Sequence, residues 1–233
     1  MKKILITGAT HGIGLAIASK FASQNFMVLL CARNEKDLKD LAAKLIQEHE
    51  NPNIFIKSTD LSKQEEREAL FQFLEKEWGA LDVLVNNAGL FLEGGSLDLP
   101  ESDFHYLMEL NLFGVYHLSR LCIPYLKASE GHIFNMSSLA GIQAYPRGGA
   151  YGVSKHAVQG LSKSLRMELK PHKVKVTNII PGATYSRSWE GSGLDRKMFM
   201  QPEDVAEVIF CAHQISRHTL MEEVVLRPVL GDL

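Results

Sequence analysis

The chain reads as one α/β domain in which helices cover both faces of a single doubly wound parallel sheet. Three observations predict this. Short β-branched apolar runs recur from end to end, segments with helical apolar spacing separate them, and a glycine-rich turn joins the first run to the first helix. Such alternation demands crossover connections, which set strands parallel and cover both faces of the sheet. At 233 residues the chain can bury a sizeable core while staying within the range of one large domain, taken as 1–233.

The elements follow in order. A strand is predicted at 3–6, where an apolar run stops at Thr7-Gly8, and apolar residues at helical spacing give a helix at 15–23. A β-rich run at 27–31 and a periodic segment at 36–48 form the next strand and helix. A short strand at 54–56 leads to a helix at 63–77, and the run at 81–85 leads to a long helix at 104–127. The last units are a strand at 132–136, a helix at 150–169, a strand at 174–180, a helix at 203–214 and a strand at 223–226. No linker, repeat or low-complexity block interrupts them. The loosest stretch is 186–197, with Gly191-Ser192-Gly193 at its centre, and a substrate loop is expected over 184–200.

Composition narrows the function. Lys+Arg total 25 against 27 Asp+Glu, a net charge of −2, and no basic run supplies the footprint of a nucleic-acid binder. No segment approaches the roughly 20 apolar residues of a membrane span. The apolar run after Met1-Lys2-Lys3 ends at Thr7, far short of a signal-peptide core. Cys31, Cys122 and Cys211 are odd in number, far apart and set in apolar surroundings, which predicts buried free thiols in a reducing compartment, the cytoplasm. A small soluble substrate is expected, with no nucleic acid, membrane or metal.

The turn Thr7-Gly8-Ala9-Thr10-His11-Gly12-Ile13-Gly14 lies between first strand and first helix, where glycines permit close approach of a pyrophosphate to a helix N-terminus. Its spacing is G-x-x-x-G-x-G, and a purely structural turn is the competing account. The second strand ends in Ala32-Arg33-Asn34, with no carboxylate for a ribose 2′-hydroxyl and an arginine able to fork onto a 2′-phosphate. NADP(H) is therefore preferred, with NAD(H) as the alternative. His11 can supplement that contact. Asp60-Leu61 follows the third strand, where the carboxylate can accept from an adenine amino group or cap a helix beginning near Ser62. Asn86-Asn87-Ala88-Gly89 ends the fourth strand, where small residues let a cofactor lie against the backbone or simply close a turn.

Tyr151 and Lys155 stand four apart in a helical stretch, so a phenol and an ammonium share one face. A cation beside a phenol stabilises the phenolate and lowers its pKa toward working pH, making it a general acid or base. Ser137 or Ser138 can be a turn hydroxyl, and Asn111 is a poor helix-interior residue that needs partners if buried. Taken together, Thr7-Gly8-x-x-x-Gly12-x-Gly14, Asn86-Asn87-Ala88-Gly89, Asn111, Ser138, Tyr151-x-x-x-Lys155 and Pro181-Gly182 resemble the short-chain dehydrogenase/reductase family over essentially the whole chain. The resemblance implies a Rossmann fold and roles for these residues. Ser138 would hydrogen-bond the substrate carbonyl, Tyr151 would deliver the proton, and Lys155 would lower the tyrosine pKa and hold the nicotinamide ribose. Asn111 would bind a water linking Lys155 to solvent. Pro181-Gly182-Ala183-Thr184 would offer backbone groups to the nicotinamide carboxamide, aided by Ser186, where many members carry threonine. It also implies a homodimer or homotetramer through the two long helices.

Within the family, the stretch from Pro181 through Trp189, with Pro202-Glu203-Asp204-Val205-Ala206 and the C-terminal residues through Gly231-Asp232, looks most like the bacterial sepiapterin-reductase-like branch. Trp189 offers a flat face to a planar heterocycle, or packs down as the anchor of its loop. Tyr145 and Tyr185 are further candidates for the substrate wall. The reading is an NADPH-dependent reduction of a ketone to an alcohol, on sepiapterin-like or diketone substrates. A 3-oxoacyl thioester reductase or other alcohol dehydrogenase is the alternative, and a catalytically silent dinucleotide sensor is the rival of another class. A methyltransferase explains neither Tyr151-x-x-x-Lys155 nor Ser138.

Overall fold

The computed structural model describes residues 1–146, 148–186, 189 and 193–232. Seven parallel strands form one sheet: β1 (Lys3–Thr7), β2 (Met27–Ala32), β3 (Ile54–Ser58), β4 (Val83–Asn86), β5 (His132–Met136), β6 (Lys175–Pro181) and β7 (Glu223–Leu226). Their spatial order is β3-β2-β1-β4-β5-β6-β7. The direction of winding reverses between β1 and β4, and at such a switch point a crevice opens beyond the carboxyl ends of the strands.

Side-chain alternation divides the core in two. Ile4, Ile6, Val28, Leu30, Val83, Val85 and Phe134 face α1 (Gly12–Ser23), α2 (Glu35–His49) and α7 (Pro202–Gln214). Leu5, Leu29, Leu84, Ile133 and Val176 face α3 (Gln64–Glu77), α5 (Gly114–Ser129) and α6 (Gly149–Leu169). The five inner strands are buried on both faces, which is why they read as continuous apolar runs, whereas the edge strands β3 and β7 are only partly covered.

The predicted elements are present with shifted ends. α1 begins at Gly12, inside the glycine turn. The predicted helix at 104–127 is instead α4 (Glu101–Met108), a π-helical segment Glu109–Phe113, and then α5. The expected substrate loop, 184–200, is closed at its two ends by a parallel bridge between Thr184 and Met200 and contains a short 3₁₀ turn, Arg196–Met198. Gly191 and Ser192 lie outside the described residues. Cys31 and Cys122 are buried, whereas Cys211 is exposed on α7, contrary to the expectation of three buried thiols. Among the described residues no helix is long and apolar enough to cross a membrane.

Candidate active site

A cavity of about 900 Å³ occupies the crevice and runs from the end of β2 to the start of α6. Most residues singled out in the sequence meet here. Gly8, Thr10, His11, Gly12 and Ile13 line it, as do Arg33, Asn34, Leu61, Ala88 and Gly89. At the far end the lining includes Ser138, Tyr145, Tyr151, Lys155, Pro181 to Thr184, Ser186 and Trp189.

The glycine turn builds one end. Gly14 lies behind it, because a Cβ there would stand 2.2 Å from the Gly8 carbonyl oxygen and 2.5 Å from Asn87 Nδ2. It serves helix-on-strand packing and does not line the cavity. The N-cap of α1, His11, offers no side-chain cap, and the first turn carries no acidic residue. α2, α3, α4 and α7 all carry acidic first turns. The positive end of α1 is thus left to an anion from solution. Arg33 stands exposed at the lip, donating to the Tyr106 hydroxyl at 3.1 Å. Asn34 caps α2 by accepting from the amides of Lys36 and Asp37. Asp37, unforeseen from the sequence, joins the lining 3.7 Å from His11 Nε2. This donor set of uncapped amides, a guanidinium and an imidazole fits the phosphates of a dinucleotide.

Asp60 is placed elsewhere. Its carboxylate accepts from the Ser62 amide at 3.0 Å and the Ser62 hydroxyl at 2.7 Å, and its own amide donates to Glu66. It holds a turn ahead of α3, whose N-cap is Lys63, so it neither caps the helix nor lines the cavity. The fourth-strand asparagines also exchange parts. Asn86 is buried beneath the site, donating to Ser119 and to Asn135 at the same register on β5. Asn87 lines the cavity and donates to the carbonyls of Thr7 and Gly8.

The other end holds the phenol and the ammonium. Lys155 is buried, and Nζ donates to the Met136 carbonyl at 2.9 Å while lying 5.6 Å from the centre of the Tyr151 ring. Burial lowers its pKa to about 8. The Ser138 hydroxyl beside Tyr151 favours the phenolate, yet burial outweighs it and holds the phenol above its usual 10. The sequence reading expected the lysine to bring that pKa down. In this structure the ammonium is turned toward a carbonyl and desolvation prevails.

Asn111 lies in the π segment, fully buried, and outside the cavity lining. Oδ1 accepts from the Leu90 amide at 2.8 Å, and Nδ2 donates to the Leu90 carbonyl at 2.9 Å and to Ser154 Oγ at 3.1 Å. Its carboxamide therefore acts as a strap on the segment after β4. A Cβ on Gly89 would stand 3.3 Å from Asn111 Oδ1 and 3.4 Å from Lys155 Nζ, so Gly89 lies next to both.

The outer wall is part apolar. Phe91 sets its edge against Tyr151 at 5.2 Å, a contact no sequence motif announces. Trp189 lines the cavity and packs on Phe199 at 4.9 Å. Tyr185 turns away from the cavity, against Phe199 and under the Arg196 guanidinium. Tyr145 lines the cavity with its hydroxyl in contact with Gln143 and Asp232, and Asp232 pairs with Arg227.

A family model described as short chain dehydrogenase matches residues 2–196. The chain is 32% identical over 241 residues to a sepiapterin reductase of Chlorobaculum tepidum, covering 99% of this chain and 97% of the relative. It is 30% identical over 229 residues to an uncharacterised oxidoreductase of Staphylococcus epidermidis, with 98% and 97% covered. Among solved structures, an alcohol dehydrogenase of the archaeon Thermococcus sibiricus complexed with 5-hydroxy-NADP superposes with a TM-score of 0.92 at 30% identity, over 100% of this chain and 99% of that one. A metagenomic short-chain oxidoreductase in complex with NADP gives 0.86 at 32% identity, over 99% and 98%.

Proposed function

The chain belongs to the short-chain dehydrogenase family and is an oxidoreductase, and from that premise we propose that it is an NADPH-dependent carbonyl reductase, reversible as an alcohol dehydrogenase. One observation carries the reading: a phenol with a serine hydroxyl beside it shares a single cavity with an uncapped helix N-terminus and an arginine at its lip. A bound nicotinamide would supply the hydride. Ser138 donates to the carbonyl oxygen, and Tyr151 passes its proton to that oxygen as negative charge develops there. The raised pKa keeps the phenol protonated at neutral pH, the form an acid must have. Lys155 offsets the charge left on the phenolate, and the returning proton travels past Lys155 and the Asn111 strap from solvent. Arg33 holds the 2′-phosphate, and the α1 N-terminus holds the pyrophosphate.

The substrate is a small ketone, sepiapterin-like or a diketone, with Phe91, Tyr145 and Trp189 as its walls. NADPH consumption against sepiapterin, vicinal diketones and 3-oxoacyl thioesters tests this. Turnover of the first two classes above the thioesters is expected. Tight NADPH binding with no turnover across the panel would instead favour the dinucleotide sensor.

A further inference from the structure

Three consecutive residues at the end of β5 each face α6 at a different point. The Met136 carbonyl accepts from Lys155 Nζ at 2.9 Å, Ser137 Oγ donates to the Lys155 carbonyl at 3.1 Å, and Ser138 lines the cavity beside the Tyr151 hydroxyl. The outer two contacts engage the groups to which the reaction has been ascribed. The middle one joins a hydroxyl to a backbone carbonyl and has no chemical part of its own.

We propose that Ser137 is a positioning residue, the brace that fixes how far α6 stands from β5 and thereby the separation of Ser138 from Tyr151. The inference rests on the reductase reading above, in which those two hydroxyls share the carbonyl oxygen.

Ser137 is well placed to act as a fixed point. Its amide donates to the Ile179 carbonyl at 2.8 Å, extending the β5–β6 ladder, so its backbone belongs to the sheet. It is 3% exposed, which keeps water from competing for the hydroxyl. Gly141, at the end of the 3₁₀ turn Leu139–Gly141, gives a second, independent sign. A Cβ there would stand 2.6 Å from Ser137 Oγ, 2.8 Å from Gln159 Nε2 and 2.9 Å from the Lys155 carbonyl oxygen. The turn that follows Ser138 thus closes directly over the Ser137–Lys155 hydrogen bond, and a side chain at 141 would force them apart. Lys155 is in this way held at both ends, Nζ by residue 136 and the carbonyl by residue 137. Tyr151, one helical turn earlier, is carried by the same rigid stretch of α6.

The brace is tested with Ser137→Ala, Gly141→Ala and the double variant in the full-length enzyme. Ser137→Ala is expected to lower kcat about five- to tenfold, the scale of one buried neutral hydrogen bond, with the KM for ketone and for NADPH each within about twofold of wild type. The Ser138 hydroxyl favours the phenolate, so moving it away from Tyr151 raises the phenol pKa. The rising limb of the alcohol-oxidation pH profile is then expected to move to higher pH. Gly141→Ala should give the same signature, and the double variant should lose less than the product of the two single losses, because both act on one contact. Amide exchange in the cofactor-free protein should quicken in peptides covering 149–158 and nowhere else, a readout that needs no substrate. An unmoved pH limb with unchanged exchange in that peptide, even alongside a lowered melting temperature, would overturn the brace. Failure of the wild type to turn over any carbonyl would count against the reductase reading alone, and the exchange result would still decide the brace.

Discussion

Both ends of the parallel sheet bury groups that ionise, and those at the carboxyl end line a cavity of about 900 Å³. At the carboxyl end, Lys155 is buried with Nζ bonded to a carbonyl, and Asn111 satisfies both ends of its carboxamide. At the amino end, His132 opens β5, 2% exposed, stacked on Phe134 at 3.9 Å and bonded through Nε2 to Thr177. Its Nδ1 has no partner, nor has Nδ1 of His213 on α7, whose ring lies 6.1 Å away. Burial pushes the pKa of His132 well below 6.5, helped by His213 and Lys175, and that of His213 to about 4, helped by the facing cations of Lys2 and Lys175. Lys155 and Tyr151 are displaced in the same sense, toward neutrality. A displaced pKa therefore marks burial at either end. What separates the two is the cavity wall beside Lys155 and Tyr151.

The largest expected effect tests the carboxyl end. Tyr151→Phe should reduce kcat for ketone reduction by roughly 10²- to 10⁴-fold, the usual contribution of a positioned general acid, while leaving NADPH binding by fluorescence titration near wild type. Full activity in this variant would remove the distinction between the ends. The amino end is probed through acid stability. Both histidines are neutral in the fold and protonate near 6.5 once unfolded, so the unfolded chain binds more protons below that pH and stability falls as pH drops. The two rings together contribute up to about two protons to the slope, corresponding to as much as about a hundredfold in the unfolding constant per pH unit. His213→Leu should flatten the dependence of the urea midpoint between pH 7 and 5 by about one proton, with activity at pH 7 unchanged. An unaltered slope would show that the unpartnered rings carry no penalty.

The sequence conveyed the carboxyl end well, for reasons of period. Residues four apart on a helix must share a face, so Tyr151 and Lys155 could be paired without knowing anything else of the fold. Strand ends were less legible, since one residue of register exchanges the two faces. Asn86 points into the interior and Asn87 into the cavity, and nothing local says which. The π segment at Glu109–Phe113 was hidden because its polar residue answers to Leu90, 21 positions away, rather than to its own helix. Asp37, Phe91 and Asp232 reach the cavity only through tertiary placement and lie in no recognisable spacing. Tyr185 was misplaced because an aromatic near a loop looks alike whether it faces a ligand or, as here, Phe199 and Arg196. The histidine pair could not be foreseen, as 81 positions separate its members (213 − 132 = 81).

Arg33 sharpens the comparison from the solvent side. It is exposed, so its influence comes from charge and geometry without burial, and Asp37 near His11 tempers the positive field around it. Arg33→Ala should raise the NADPH KM by about tenfold and the NADH KM by less than about twofold, the loss being that of one charge-assisted contact in water. The NADPH effect should shrink as salt is raised, which an apolar contact would not do. Equal effects on both cofactors would leave the lip of the cavity without a part in choosing between them.

Trp189 gives the smallest and most discriminating test, since it belongs to the cavity and to the packing beneath it at once. One side of the indole meets Phe199, itself 5% exposed, and the side chain also lines the cavity beside the reacting groups. If the wall function governs, Trp189→Leu should raise the KM for aromatic ketones about three- to tenfold, the worth of one aromatic contact, and leave small aliphatic ketones nearly unchanged. If packing on Phe199 governs, leucine keeps the apolar contact and every substrate should respond alike, through kcat as well as KM. The selective outcome is expected, because Phe199 is already covered by Tyr185 and loses only part of its cover when the indole is removed. A uniform response would place Trp189 with the histidine pair, as a residue whose burial serves the fold alone.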